Sequence, residues 1–147
     1  MSKKVENKLT LTSTIEDYLE SVLFISEKKG YAQVTEIARF LKISKASVTE
    51  MISKLKSHNL VNYEKYGTIT LTDEGMEIAK KVKDRHEIWK TFLELIGVNP
   101  EVADVDCCLM EHNLSKETIS KLKEFINFIK DENQKDILKR YNDFRKK

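Results

Sequence analysis

The sequence predicts a mainly α-helical chain in two parts, a helix-turn-helix unit closed by a β-hairpin and then an all-helical unit. Three observations predict it. Apolar residues recur at helical spacing over most of the 147 residues, and one Pro and four Gly leave few breaks between helices. A short helix, a tight turn and a longer helix follow one another between Thr35 and His58. Alternating residues on either side of Tyr66-Gly67 then read as a two-stranded hairpin.

Residues 1–12 are polar, with Lys3, Lys4 and Lys8, and are expected to fray. Thr12-Ser13-Thr14 offers N-caps for a first helix to about Lys28. Its apolar stripe is Ile15, Tyr18, Leu19, Val22, Leu23 and Ile25. Asp17 and Glu20 share another face at i, i+3. Gly30 is the expected C-cap. Thr35 to Leu41 forms the next helix, with Ile37, Ala38, Phe40 and Leu41 facing in.

Lys42-Ile43-Ser44 is the turn, and Ser44 caps a helix to about His58 that buries Val48, Met51, Ile52 and Leu55. Ser44, Lys45, Ser47, Thr49, Glu50, Lys54 and Lys56 remain on or near its exposed side. Small hydroxyls and lysines at a helix start suit phosphate anchoring and close approach to base edges. With the hairpin added, this is a winged helix-turn-helix. Lys65 and Tyr66 stand at the wing, where a phosphate would lie. The net charge of the whole chain is only +2, so DNA binding cannot rest on bulk charge. Segment 34–66 nonetheless holds six Lys or Arg against three Glu.

Thr72-Asp73-Glu74-Gly75 opens a long helix through Ala79, Val82, His86, Trp89, Phe92, Leu93 and Ile96, stopped by Gly97 and Pro100. Its stripe is expected to be core or a dimer interface, with His86 on the margin. Val102 to Leu114 forms the next helix, and Ser115 caps another with Ile119, Leu122, Phe125, Ile126 and Ile129 on its apolar side. The tail from Asp131 to Lys147 is expected to end in an amphipathic helix, with Ile137, Leu138, Tyr141 and Phe144, lying on a neighbour. The expected domains are 1–75 and 76–147. No apolar run reaches transmembrane length and the start lacks a signal peptide, so a cytoplasmic protein without membrane contact is expected.

Cys108-Leu109-Met110-Glu111-His112 carries the chemistry. In a helix, Cys108, Glu111 and His112 at i, i+3 and i+4 share a face. A thiol, a carboxylate and an imidazole together form a ligand set for a transition metal. The bland alternative is a buried Cys beside a solvated Glu-His pair. Cys107 is about 100° away around a helix and is expected to be a small core residue. Two adjacent Cys make a poor disulfide framework.

Asp17-x-x-Glu20, a winged helix-turn-helix, Arg85-His86-Glu87 and Cys108-x-x-Glu111-His112-x-x-Ser115 follow in one order. With Gly30-Tyr31-Ala32 and Tyr63-Glu64-Lys65-Tyr66, this order resembles the family of metal-activated repressors that holds the diphtheria-toxin repressor and the manganese-transport regulators. The resemblance covers about residues 13–130. It implies metal ligands at Asp17, Glu20, His86, Cys108, Glu111 and His112. Asp17 follows the manganese branch, whereas Cys108 follows the iron branch. Lys90 and Asp104 stand where the iron branch has a Glu and a His of an ancillary site, so that site is not expected. The chain stops before the third domain of longer members and so resembles the short form.

The resemblance further implies a Mn²⁺- or Fe²⁺-activated repressor of metal-uptake genes, binding a palindromic operator as a homodimer. One or two ions would be held, with Glu20 and Glu111 as candidate bridges and Co²⁺ or Zn²⁺ able to substitute. It places Ser44, Ala46 and Glu50 toward bases and Lys45, Lys54 and Lys65 on phosphates, half-sites standing ~34 Å apart or a multiple of it. Glu50, where relatives carry Gln, would shift base preference toward cytosine. Ligands on the first helix and in the second domain would let metal restrain a hinge between the two domains. A winged-helix regulator without metal control is the alternative. An enzyme is not expected, because no Gly-rich loop, nucleophile motif or spare base accompanies the ligands; nor is a small organic substrate.

Overall fold

The computed structural model describes residues 9–64 and 67–147. The chain forms two compact units, the first ending at Lys81 and the second beginning at Val82. Among the described residues no helix is long and apolar enough to cross a membrane.

In the first unit, α1 (Ser13–Lys29) starts where Thr12 Oγ1 accepts a hydrogen bond from Ile15 N at 3.3 Å. It ends at Gly30, whose φ of 88° suits a residue without Cβ. α2 (Val34–Leu41) and α3 (Lys45–Ser57) are joined by a turn in which Lys42 takes φ 57°. Ser44 Oγ caps α3 by accepting from Ser47 N at 3.1 Å. β1 (Val61–Tyr63) pairs antiparallel with β2 (Ile69–Leu71), and Ala32 adds a bridge to Ile69. That bridge ties the α1–α2 loop to the hairpin and was not foreseen in the sequence.

The apolar stripes of α1 to α3 meet as expected. Leu19, Val22, Ile37, Val48, Ile52, Leu55 and Ile69 are fully buried in one core. Phe40 departs from expectation: it is exposed and rests against Phe24, with ring centroids 5.2 Å apart. Ile37, Ala38 and Leu41 set the inward face of α2, and Phe40 lies roughly 100° off its centre at 100° per residue. Met51 is half-buried rather than buried. The wing positions Lys65 and Tyr66 lie outside the described residues.

α4 (Asp73–Leu95) begins in the first unit and continues into the second. Its start is locked to the hairpin. Thr72 Oγ1 donates to Asn59 O at 2.7 Å and accepts from Gly75 N at 3.1 Å. Gly75 passes so close to Leu60 O that a Cβ there would collide with the carbonyl.

In the second unit, α5 (Pro100–Met110) follows Asn99, whose Oδ1 accepts from Glu101 N at 2.9 Å. A 3-10 turn over Glu111–Asn113 ends this segment, so the expected single helix tightens before its last ligands. α6 (Lys116–Lys130) is capped by Ser115, and α7 (Lys135–Arg145) completes the unit. Trp89, Leu93, Ala103 and Cys107 form the buried centre, with Phe92, Leu114, Ile119 and Leu122 packed against it. Ile126 and Ile129 are buried on α6, whereas Phe125 is exposed and touches Phe92 ring to ring at 6.4 Å. α7 lies alongside as expected, Tyr141 donating to Ile96 O at 2.8 Å and Arg145 to Gly97 O at 3.1 Å. Phe144, expected on its apolar side, points to solvent.

Candidate metal centre and nucleic-acid face

The second unit gathers the site around His86. α4 projects this imidazole toward the end of α5, where successive residues change burial sharply. Cys107 is buried, Cys108 is exposed and Glu111 is buried at 1% exposure. The 3-10 turn turns Glu111 inward, and Cys107 and Ala103, one and two turns earlier, seat that face of α5 on Trp89.

Glu111 stands between two imidazoles. Its Oε2 is 3.2 Å from His86 Nδ1 and its Oε1 is 3.3 Å from His112 Nε2. Among the described residues, neither oxygen has a hydrogen bond of sound geometry. A buried carboxylate is costly unless a cation compensates it, and the pair of imidazoles supplies the place for one. Cys108 Sγ lies 3.6 Å from His86 Nδ1, so the expected thiol, carboxylate and two imidazoles do converge. The donors therefore fit a divalent transition metal.

Electrostatics agree. The close contacts with Cys108 and then Glu111 push His86 up to about 11, so without metal a charged ring stands 3.2 Å from the buried carboxylate. Burial, with Cys108 next, pushes the Cys107 thiol up to about 12. The ancillary positions carry an ion pair instead of ligands. Lys90 Nζ sits 2.9 Å from Asp104 Oδ1 and draws that carboxyl below its ordinary range, while the same oxygen is 3.3 Å from His86 Nε2.

Two neighbours of His86 were not recognised in the sequence. Asp104 stands where the iron branch has an ancillary His, and its Oδ1 instead meets His86 Nε2 at 3.3 Å. Cys107 is indeed a core residue, but its Sγ also approaches His86 Nδ1 at 3.5 Å and Nε2 at 3.3 Å. Helical phase separates Cys107 from Cys108 but cannot show that one imidazole reaches both. Asp17 and Glu20 stand half-buried on α1 of the first unit, at the expected i, i+3 spacing.

The first unit presents the other expected face. Ser44, Lys45, Ala46, Ser47, Thr49, Glu50 and Lys54 are all exposed on or beside α3. Ser44 and Ser47 share a hydroxyl contact at 2.8 Å, and Thr49 Oγ1 donates to Lys45 O at 2.9 Å. Tyr18 OH holds the start of α3 from below, donating to Ser47 O at 3.4 Å. Lys45, Thr49, Gln33, Thr35 and Tyr63 line a concavity between α2, α3 and the hairpin. Gln33 and Thr35 were not foreseen there.

A winged helix-turn-helix with an exposed polar helix, followed by a helical unit with a buried transition-metal donor set, defines a metal-responsive DNA-binding regulator. Residues 10–69 match the family model for the N-terminal DNA-binding domain of iron-dependent repressors. Residues 72–137 match that for their metal-binding and dimerisation domain. The chain is 39% identical over 124 residues to the HTH-type transcriptional regulator MntR of Oceanobacillus iheyensis, covering 84% of each. It is 43% identical over 123 residues to an uncharacterized HTH-type transcriptional regulator of Methanocaldococcus jannaschii, covering 82% of this chain and 98% of that one. Among solved structures, IdeR of T. acidophilum aligns with a TM-score of 0.71 at 28% identity, over 81% of this chain and 55% of that one. A manganese-dependent transcriptional repressor in complex with manganese aligns with a TM-score of 0.72 at 25% identity, over 78% and 53%. The chain thus spans about half the length of these two solved chains.

The chain belongs to the iron-dependent repressor family. It is a metal-dependent transcriptional repressor of the MntR and IdeR kind, not an enzyme, with DNA-binding and dimerisation domains.

Proposed function

We propose that the chain binds a palindromic operator as a homodimer when loaded with Mn²⁺ or Fe²⁺, and so represses metal-uptake genes. The observation that carries the metal dependence is the Glu111 carboxylate, buried between His86 and His112 without a hydrogen bond of sound geometry. His86, Cys108, Glu111 and His112 supply the ligands of the second unit. Asp17 and Glu20 join them on the strength of their motif order and of their common face on α1. A bound cation supplies positive charge and Lewis acidity. His86, Cys108, Glu111 and His112 would hold it, the cation replacing the proton of His86 as the positive partner of the buried Glu111 carboxylate.

The winged helix-turn-helix lies within 1–75 and the dimerisation and metal-binding part within 76–147. Ser44, Ala46, Ser47, Thr49 and Glu50 face the bases, and Lys45 and Lys54 anchor phosphates. Lys65 and Tyr66 are assigned to the wing from sequence alone. For the dimer face, Val102, Val105 and Leu109 form an exposed apolar stripe along α5 at i, i+3 and i+7. A two-fold dimer matches a palindrome.

The test is fluorescence anisotropy of a palindromic operator taken from upstream of metal-uptake genes. Chelated protein is titrated first, then protein with Mn²⁺, anaerobic Fe²⁺, Co²⁺ and Zn²⁺. Binding only with metal is expected; equal binding in chelator would sink the metal switch.

A further inference from the structure

One face of the first unit takes no part in the function proposed above. Phe24 on α1 and Phe40 on α2 are 46% and 45% exposed, and their ring centroids stand 5.2 Å apart. With Ile25 they wall a notch of about 270 Å³, edged by Lys28, Lys29 and Arg39. Cations outnumber acids along it. Glu36 also lines the notch, but Lys29 Nζ already holds its carboxylate at 2.7 Å. Among the described residues neither Lys28 nor Arg39 has a carboxylate within ion-pair distance, and Lys28 Nζ rests 5.1 Å over the Phe24 ring. Tyr18 reaches the start of α3, whereas Phe24, six residues on, stands about 120° round the helix from it. The concavity that Lys45, Thr49 and Tyr63 line shares no residue with this notch.

We propose that this α1–α2 face docks an acidic peptide segment of a partner protein. One apolar side chain of the segment seats between Phe24, Ile25 and Phe40, and its carboxylates meet Lys28 and Arg39. The mixture of groups selects this occupant. Aromatic rings and arginine are enriched where proteins meet, and a contiguous exposed apolar patch with a charged rim marks such a surface. A nucleic-acid backbone would use the cations but leave the apolar wall without a partner. A purely apolar partner would bury Lys28 and Arg39 with no counter-charge, which is costly. Carboxylates beside an apolar anchor satisfy both halves of the notch. The site goes beyond the function proposed above and does not rest on it, because no metal ligand and no α3 residue takes part. A chain lying on DNA through α3 would keep this face open to a second protein.

The experiment titrates the full chain into a fluorescein-labelled peptide of Asp and Glu around a central Leu-Phe pair, at ~0.15 M salt, and reads anisotropy. Saturable binding is expected, and none overturns the proposal. The double variant Phe24→Ala, Phe40→Ala should weaken it about tenfold or more, and so should Lys28→Glu with Arg39→Glu. Affinity unchanged in both variants overturns it. If the aromatic variant does not fold, the charge reversal at two exposed positions decides. A peptide with Ser-Ser in place of Leu-Phe should bind about tenfold more weakly; equal binding would reduce the face to plain charge attraction and refute the seat. Displacement of the peptide by duplex DNA would hand the face to nucleic acid. Self-association of the free chain that the aromatic variant abolishes would hand it to a second copy. Either outcome overturns the proposal. Peptide binding without Mn²⁺-dependent operator binding would remove the function proposed above and leave this site standing.

Discussion

At the scale of single residues, the centre combines a carboxylate in need of a cation with a ring that already carries a proton. Glu111→Gln keeps the volume and removes the buried charge. Metal affinity measured by calorimetry should fall about 100-fold, and the metal-free protein should melt lower than the natural one, since the variant leaves the charged ring of His86 without the carboxylate 3.2 Å away. A metal-free variant that melts at the natural temperature would count against this account of Glu111. His86 gives a pH dependence with a definite sign. Its folded value, about 11, lies above the ordinary 6.5. The ring therefore adds stability to the metal-free protein that is complete below pH 6.5 and is lost as pH rises through about 11. Metal binding runs the opposite way, strengthening as pH rises, because the proton must leave. Calorimetry in buffers of different ionisation enthalpy should show net proton release on Mn²⁺ binding, and no release would contradict a protonated His86.

At the scale of elements, two substitutions separate capping from close packing. Ser44→Ala removes the cap of α3 and should cost about 1 kcal/mol by thermal unfolding. Gly75→Ala drives a methyl into the Leu60 carbonyl where the hairpin meets α4, and should cost about 2 kcal/mol or more. Equal effects would mean that the start of α4 shifts freely. The helices, caps and hairpin were legible in the sequence because periodicity and cap chemistry are local signals, as Thr12, Ser44 and Ser115 show. Phe40 was misplaced because an eight-residue helix leaves its face ambiguous at the edges. The i, i+3 and i+4 spacing put Cys108, Glu111 and His112 on one face, but the burial of Glu111 beside an exposed Cys108 comes with the 3-10 turn and was not legible in that spacing. The Asp104–His86 and Cys107–His86 contacts span 18 and 21 residues and two helices, and no local pattern encodes them.

At the scale of the whole molecule, a net charge of +2 means that DNA affinity must come from a few placed lysines rather than a general field. Each lysine on a phosphate displaces about one counterion, so its loss lowers the slope of log affinity against log salt by about 1. Lys54 is exposed on α3, and a homodimer carries it twice. Lys54→Ala should therefore flatten that slope by about 2 and weaken operator and unrelated DNA alike. Glu50→Gln should behave differently. It replaces an acceptor suited to cytosine with a side chain suited to adenine, so preference at one position of each half-site should change by about 1–3 kcal/mol. Anisotropy titrations across a salt series, on the natural operator and on singly substituted half-sites, separate the two effects. If Lys54→Ala leaves the slope unchanged, its ammonium is not on a phosphate. If Glu50→Gln weakens every sequence equally, α3 does not present that position to a base edge, and its assignment as a recognition helix fails with it.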